Sequence, residues 1–268
     1  MKNVPDPSKM RENRSYVIRA ARMSPHQKAA LERLSPQFCL EIGDAGGEAG
    51  DGARRGGDGA RSEEKDPGQN LGADSFANAE IRWEDAFAHR RTDPDRPIYI
   101  DIGFGMGYEL AELAARWSHA DFLGIEVHLP GVGKLLSEIE RQDLRNVRIV
   151  RQDAVQICTS SVPKKSVDGV HLFFPDPWPK KRHHKRRLVR KGFPELIAPI
   201  LKSSGYIYMV TDWQEYAEQM CQVMESSSQF SNRFERFAPR QEWRPQTAFE
   251  RKGLKKGHTI YELIFEAR

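Results

Sequence analysis

Four acidic residues stand where chemistry could be done, each close behind a short apolar run. Asp101 follows Ile98-Tyr99-Ile100 and leads into Gly103-Phe104-Gly105-Met106-Gly107. Glycines at alternate positions let a backbone turn sharply and approach a ligand with no Cβ in the way. The dinucleotide fingerprint G-x-G-x-x-G would need glycine at 108, where Tyr108 stands. An acid before such a loop is ill-matched to a pyrophosphate and better matched to a cationic ammonium or sulfonium group. The bland alternative is a bare glycine turn. Glu126 lies 25 positions after Asp101, at the end of a second apolar run. A carboxylate there can take both hydroxyls of a ribose. Asp153-Ala154 follows a third run, where an acceptor could hold an adenine amino group; alone, Asp153 reads equally as a helix cap. Three acids at three successive strand ends describe a nucleoside-shaped ligand, and S-adenosylmethionine combines that shape with a sulfonium.

The fourth acid, Asp176, sits in Phe173-Phe174-Pro175-Asp176-Pro177-Trp178-Pro179. Three prolines stiffen this loop. Trp178 offers a face for stacking, and the cations behind it can neutralise phosphates. Residues 180–191 hold eight Lys/Arg, two His and no acid. Such a run is often only a solvated helix face or a localisation signal; its direct attachment to an acid- and aromatic-bearing loop favours a binding role. A fifth run ends Thr211-Asp212-Trp213, where Asp212 could cap a helix, and Thr247-Ala248-Phe249-Glu250 has the spacing of a capping box.

The elements that must position these residues alternate. Apolar runs at 98–102, 121–127, 146–150, 167–174 and 205–211 predict strands, and 258–266 alternates like a late strand. Residues 108–117 place Leu110, Leu113, Ala114 and Trp117 on one helical face, and 131–143 predict a second helix. Strand–helix alternation implies an α/β fold with a mostly parallel sheet and helices on both faces. In such sheets ligands bind beyond the carboxyl ends of the strands.

With 268 residues, 38% of them apolar, the chain can bury a core. It has no apolar run of about 18 residues to span a membrane, and no apolar stretch resembling a secretory signal near Met1. Cys39, Cys158 and Cys221 are far apart, arguing against a disulfide framework or a zinc site. Net charge is +4, but residues 43–66 carry seven acids against four bases, so the remainder is more basic and suits a polyanionic partner. Residues 43–72 hold ten glycines, no aromatic and no β-branched residue. Such a segment cannot offset its ordering entropy and is expected to be disordered. The expected organisation is a basic arm (1–42), an acidic Gly-rich insert (43–76) and a main domain (77–268).

The motifs DIGFGMGYEL, GIEVHLPGVGKLL, Asp153-Ala154, FFPDPWPKKRHHKRR, TDW and TAFERKG…GH resemble the bacterial tRNA (guanine-N7-)-methyltransferases. The proline–tryptophan loop with its basic run is the most specific of them. The resemblance covers about residues 97–268, and Arg14 to Arg19 with Arg22-Met23 resembles that family's N-terminal basic segment. It implies a Rossmann-like methyltransferase domain with a seven-stranded sheet. S-adenosylmethionine would be held by Asp101, Gly103, Gly105, Gly107, Glu126, Asp153, Ala154 and Asp176, with no metal. Asp176 would stand at the reaction centre. Lys180, Asp212, Thr247, Ala248, Phe249 and Glu250 would contact the RNA. The implied product is N7-methylguanosine at tRNA position 46, made in the cytoplasm with no membrane association and no obligate protein partner. Ala248 and Lys252 depart from the usual Lys and Arg, and Asp101 replaces the more frequent Glu. Two rivals stand beside this reading. Enzymes that methylate exocyclic amino groups share an N/D-P-P-Y/F/W loop, whereas here one proline lies on each side of the acid. An RNA-binding protein on an inactive scaffold would not need all four acids.

Overall fold

Alternation along the strands decides which residues meet which layer. The computed structural model describes Tyr16, residues 22–42 and residues 80–268. The expected insert at 43–76 lies outside the described residues, as does the segment Arg14 to Arg19 apart from Tyr16. In chain order the elements are α1 (Pro25–Phe38), α2 (Trp83–Ala86), β1 (Ile98–Ile102), α3 (Tyr108–Arg116), β2 (Asp121–Ile125), α4 (Leu129–Arg141), β3 (Val147–Val150) and α5 (Ala154–Ser160). They continue with β4 (Val167–Phe173), α6 (Phe193–Ile197), β5 (Leu201–Thr211), α7 (Gln214–Glu225), β6 (Phe230–Asn232), α8 (Ala248–Lys255) and β7 (Tyr261–Ala267). One sheet forms in the order β3-β2-β1-β4-β5-β7-β6. The first five strands are parallel, and β7 runs antiparallel between β5 and β6.

The predicted strands 98–102, 146–150 and 167–174 match within a residue, while β5 starts earlier than predicted and β2 stops at Ile125. The late strand begins only at Tyr261, because Gly257 is left-handed and the His258 amide turns back to Gly253 O. The seventh strand is β6, three residues at the edge.

On β1, Ile98, Ile100 and Ile102 enter a core shared with Ile157, Phe193, Ile197 and Met220. Tyr99 and the β2 residue Phe122 face the opposite layer, with Leu110 and Leu113 of α3 and Leu135 and Leu136 of α4. Helices therefore cover both faces. Leu110 and Leu113 are completely buried, contributing about 1.5–3 kcal/mol each, which outweighs the weak propensity of a nine-residue helix.

Residues 22–42 are not a free arm. Ser24 caps α1 in a reciprocal box with Gln27, and Ala30 and Phe38 join the α3–α4 core. Gly133 of α4 permits this contact, since a Cβ there would lie 2.9 Å from the Gln27 carbonyl oxygen. After α1 the chain bonds to β3 through Leu40 N to Ile149 O at 2.8 Å.

From β1 the chain winds outward to β2 and β3; from β4 it winds the other way. The carboxyl ends of β1 and β4 are thus the switch point, where such sheets leave a crevice for a ligand.

Candidate active site at the strand ends

The glycine loop after β1 is built on left-handed backbone: Gly103, Gly105 and Gly107 have φ of 72°, 58° and 74°. It seats on α4 only because residue 131 lacks a side chain, as a Cβ there would lie 2.0 Å from the Gly105 carbonyl oxygen. This fit holds the Gly105 amide 2.9 Å from Oε2 of Glu126. Oε1 of Glu126 accepts from the amides of Val127 and His128 at 2.7 and 2.9 Å. Three donors thus occupy three of the roughly four lone-pair sites of a carboxylate. What remains for a ligand hydroxyl is chiefly on Oε2.

Asp101 is 3% exposed, and no hydrogen bond or ion pair reaches it among the described residues. Burial, with the negative charges of Glu109 and Glu126 nearby, pushes its pKa up to about 8. A buried acid whose electrostatic neighbours are both negative is a ready partner for a cation.

A cavity of about 350 Å³ opens at the switch point. Gly103, Glu126, Ala154 and Asp176 line it, with Ile102, Ile125, Leu172 and Leu188 supplying apolar surface and Tyr16 also at its wall. Asp101, Gly105, Gly107 and Asp153 lie outside this lining. Asp153 takes the cap role: its Oδ1 accepts from Val155 N at 2.7 Å at the start of α5, leaving Oδ2 available.

Asp176 is exposed at the mouth, between Phe174 and Trp178, whose φ values are 53° and 43°. Two bulky residues in left-handed conformations cost of order 1–3 kcal/mol each and persist only where the surroundings enforce them. Phe174 N bonds Val210 O at 2.7 Å. The face of Trp178 is not simply open, because Arg186 stacks on it at 4.9 Å and His183 meets its edge. The basic run forms a 3-10 turn over Lys181–Arg186 preceded by exposed Lys180. Arg187, however, is 1% exposed, so the expectation that the whole run faces phosphates is corrected at that position.

Asp212 follows β5, and its Oδ2 pairs with Nδ1 of His258 at 2.9 Å. Thr247 caps α8 by accepting from Glu250 N at 2.8 Å. Only half of the expected capping box forms. The Glu250 carboxylate instead pairs with both terminal nitrogens of Arg244, at 2.7 and 2.8 Å, and is 1% exposed. Arg244 also holds Glu262, which accepts from the Tyr208 hydroxyl. Glu250 therefore anchors α8 from below, while Ala248 and Phe249 are presented outward. Phe249 approaches Phe174 at 5.5 Å, linking α8 to the Asp176 loop. Sequence reasoning missed the roles of Gly131, Leu188, His258 and Arg187, although all but Leu188 lie within the motifs given above.

Fold and site together define a Rossmann-like, S-adenosylmethionine-dependent methyltransferase. A family model described as "Putative methyltransferase" matches residues 95–263. The fold is shared with the 16S rRNA methyltransferase KamB, at a TM-score of 0.50 and 13% identity, over 68% of this chain and 94% of that one. Within this class, the chain belongs to the tRNA (guanine-N(7)-)-methyltransferase family. It is 38% identical to the Burkholderia mallei protein of that name over 98% of this chain and 85% of the relative. Identity to the Thiobacillus denitrificans protein is 40% over 95% of each chain, and to the Alcanivorax borkumensis protein 40% over 97% and 93%. Among the described residues, no helix is long and apolar enough to cross a membrane, and no group of three or more His, Cys, Asp or Glu could hold a metal ion.

Proposed function

We propose that the chain methylates N7 of guanosine 46 in the variable loop of tRNA, acting in the cytoplasm without an obligate protein partner. The observation that carries the chemistry is the placement of Asp176 at the mouth of a nucleoside-sized cavity that Glu126 also lines. The residues fit S-adenosylmethionine: apolar surface for adenine, spare acceptor capacity on Glu126 and Asp153, and a buried acid at Asp101 that no cation meets among the described residues. When bound, that cofactor supplies a methyl group on a positively charged sulfur.

Guanine N7 has an in-plane lone pair and no proton to lose, so the chain need not provide a general base. Its contribution is orientation and charge, which together are worth several kcal/mol of a barrier. Asp176 accepts from guanine N1–H and the 2-amino group, fixing the base, and its negative charge stabilises the cationic purine that forms. Lys180 and the exposed cations behind it hold phosphates. Asp212 and the Thr247–Glu250 segment hold the other side of the RNA, Thr247 and Glu250 by setting the helix that presents Ala248 and Phe249.

Incubation with labelled S-adenosylmethionine and an unmodified tRNA pool, followed by nucleoside analysis, tests this reading. Label is expected in N7-methylguanosine, mapping to position 46. Label in a methylated exocyclic amine would overturn the assignment. Binding to tRNA should weaken steeply with salt.

A further inference from the structure

Composition makes residues 180–191 look uniformly solvated, yet one guanidinium of the run is inside the protein. Arg187 donates from Nε to the Pro177 carbonyl at 2.8 Å. Its Nη1 donates to Gln219 Oε1 at 2.6 Å, and its guanidinium lies 4.9 Å over the Tyr216 ring. Gln219 and Tyr216 belong to α7, and both also grip the chain just beyond Arg187. Gln219 Nε2 donates to Val189 O at 2.8 Å, and Val189 N donates to the Tyr216 hydroxyl at 3.1 Å. The arrangement is a clip: α7 holds Arg187, and Arg187 holds the residue after Asp176.

This placement matters because the loop is not at rest by itself. Phe174 and Trp178, two positions either side of Asp176, are both left-handed, and such conformations need an external restraint. Pro177 has no amide proton to anchor, so its carbonyl is the handle nearest to Asp176 on that side. The first turn of α7 directly follows Asp212 and Trp213, so the clip also fixes the Asp176 loop relative to the β5 loop.

We propose that Arg187 is the positioning residue for Asp176, acting through the Pro177 carbonyl, and that it makes no phosphate contact. The proposal rests on the reading of Asp176 as the reaction-centre residue. Lysine cannot reproduce a planar fork that bonds two acceptors while stacking on a ring, so Arg187→Lys keeps the charge and breaks the clip.

In Arg187→Lys, kcat for tRNA methylation should fall about 10- to 100-fold, the scale of a misplaced catalytic group. tRNA Kd and the slope of log K against log salt should stay at wild-type values. Hydrogen exchange should quicken at the amides of Phe174 and Val189, which are bonded to Val210 O and the Tyr216 hydroxyl, and not in β1 or β2. Gln219→Leu, which leaves the arginine in place, should move kcat and exchange the same way by less, and it carries the test if Arg187→Lys fails to fold. In Arg187→Gln, which removes the charge, a salt slope shallower by about 1 with kcat retained would make Arg187 a phosphate ligand and overturn the proposal. Unchanged loop exchange, or retained kcat with a lowered Tm, would reduce it to a core residue and overturn it equally. Should wild-type protein label another nucleoside, the function assigned above fails, while loop exchange still decides the clip.

Discussion

Asp101 and Asp121 are both buried, on neighbouring parallel strands only three register positions apart, Asp101 opposite Gly124 and Asp121 opposite Ile98. At about 3.3 Å per residue they are separated by roughly 10 Å along the sheet. Asp121, at the amino end, is paired with two guanidinium groups. Its oxygens accept from Arg90 at 2.7 Å, from Arg96 at 3.4 Å, and face His89 at 2.7 Å. Arg90 in turn donates to the carbonyls of Arg96 and Pro94. Among the described residues Asp101, at the carboxyl end, has no such partner, and the neighbouring charges of Glu109 and Glu126 are both negative. The same side chain is scaffold at one end and, on the proposed reading, site at the other, and what distinguishes them is whether the described fold supplies the counter-charge.

The largest effect expected from this contrast is structural. Asp121→Ala leaves Arg90 buried without its carboxylate, and breaking such a pair costs about 3–5 kcal/mol. Chemical denaturation should show that loss, with S-adenosylmethionine affinity in the folded fraction unchanged. A change in cofactor affinity would blur the distinction between the two ends. Next in size is Asp176→Ala, which should lower turnover about 10²–10³-fold while tRNA affinity and Tm hold. Parallel losses of turnover and affinity would remove Asp176 from the reaction centre.

Asp101→Asn sharpens the comparison by moving stability and function in opposite directions. The folded pKa of Asp101 stands at about 8, above an ordinary 3.8, so between those values the folded state holds more protons than the unfolded state. The associated stability is complete below about pH 4 and is lost as pH rises through about 8. Asn mimics the protonated acid, so the variant should gain Tm over wild type, increasingly so from pH 5 to pH 8. Cofactor binding should weaken about tenfold, the worth of one charge-assisted contact. In wild type, a cationic ligand favours the ionised acid and releases a proton. Affinity should therefore rise with pH by up to tenfold per unit, levelling near pH 8. A flat profile by calorimetry would mean the ligand's positive charge does not reach Asp101.

Much of this was legible in the chain itself, for reasons that also explain what was not. Strands β1 to β5 showed because parallel strands buried on both faces read as dense apolar runs, and the glycine loop showed because glycine adopts φ near +60° to +75° without strain. The edge strand β6 did not show: Phe230–Asn232 has three residues and one buried side chain, too few for a period. Arg187 was hidden by its neighbours, since burial of one cation in eight leaves no mark on composition. Glu250 was read as a cap partner from spacing, but Arg244 lay six positions upstream and won its carboxylate by offering two parallel donors. Local patterns foretold elements well; they could not foretell which charges the tertiary fold would consume.

The smallest predicted effect concerns a charge that the fold leaves room for. Ala248 is exposed at the first position of α8, beside exposed Phe249 on the face proposed to meet the RNA. Ala248→Lys places a cation there. A positive side chain in a first helical turn is unfavourable to the helix dipole by about 0.3–1 kcal/mol at low salt, so Tm should dip slightly. A new phosphate contact should at the same time steepen the salt dependence of tRNA binding by up to about one in log–log slope. Affinity should improve severalfold at low salt and converge with wild type at high salt, with kcat unchanged because the substitution lies away from Asp176. Unaltered slope in filter-binding titrations would show that α8 presents Phe249 to a base without bringing the backbone of the RNA near residue 248. That would place the proposed phosphate contacts away from residue 248, and leave α8, tied down by Arg244, to present Phe249.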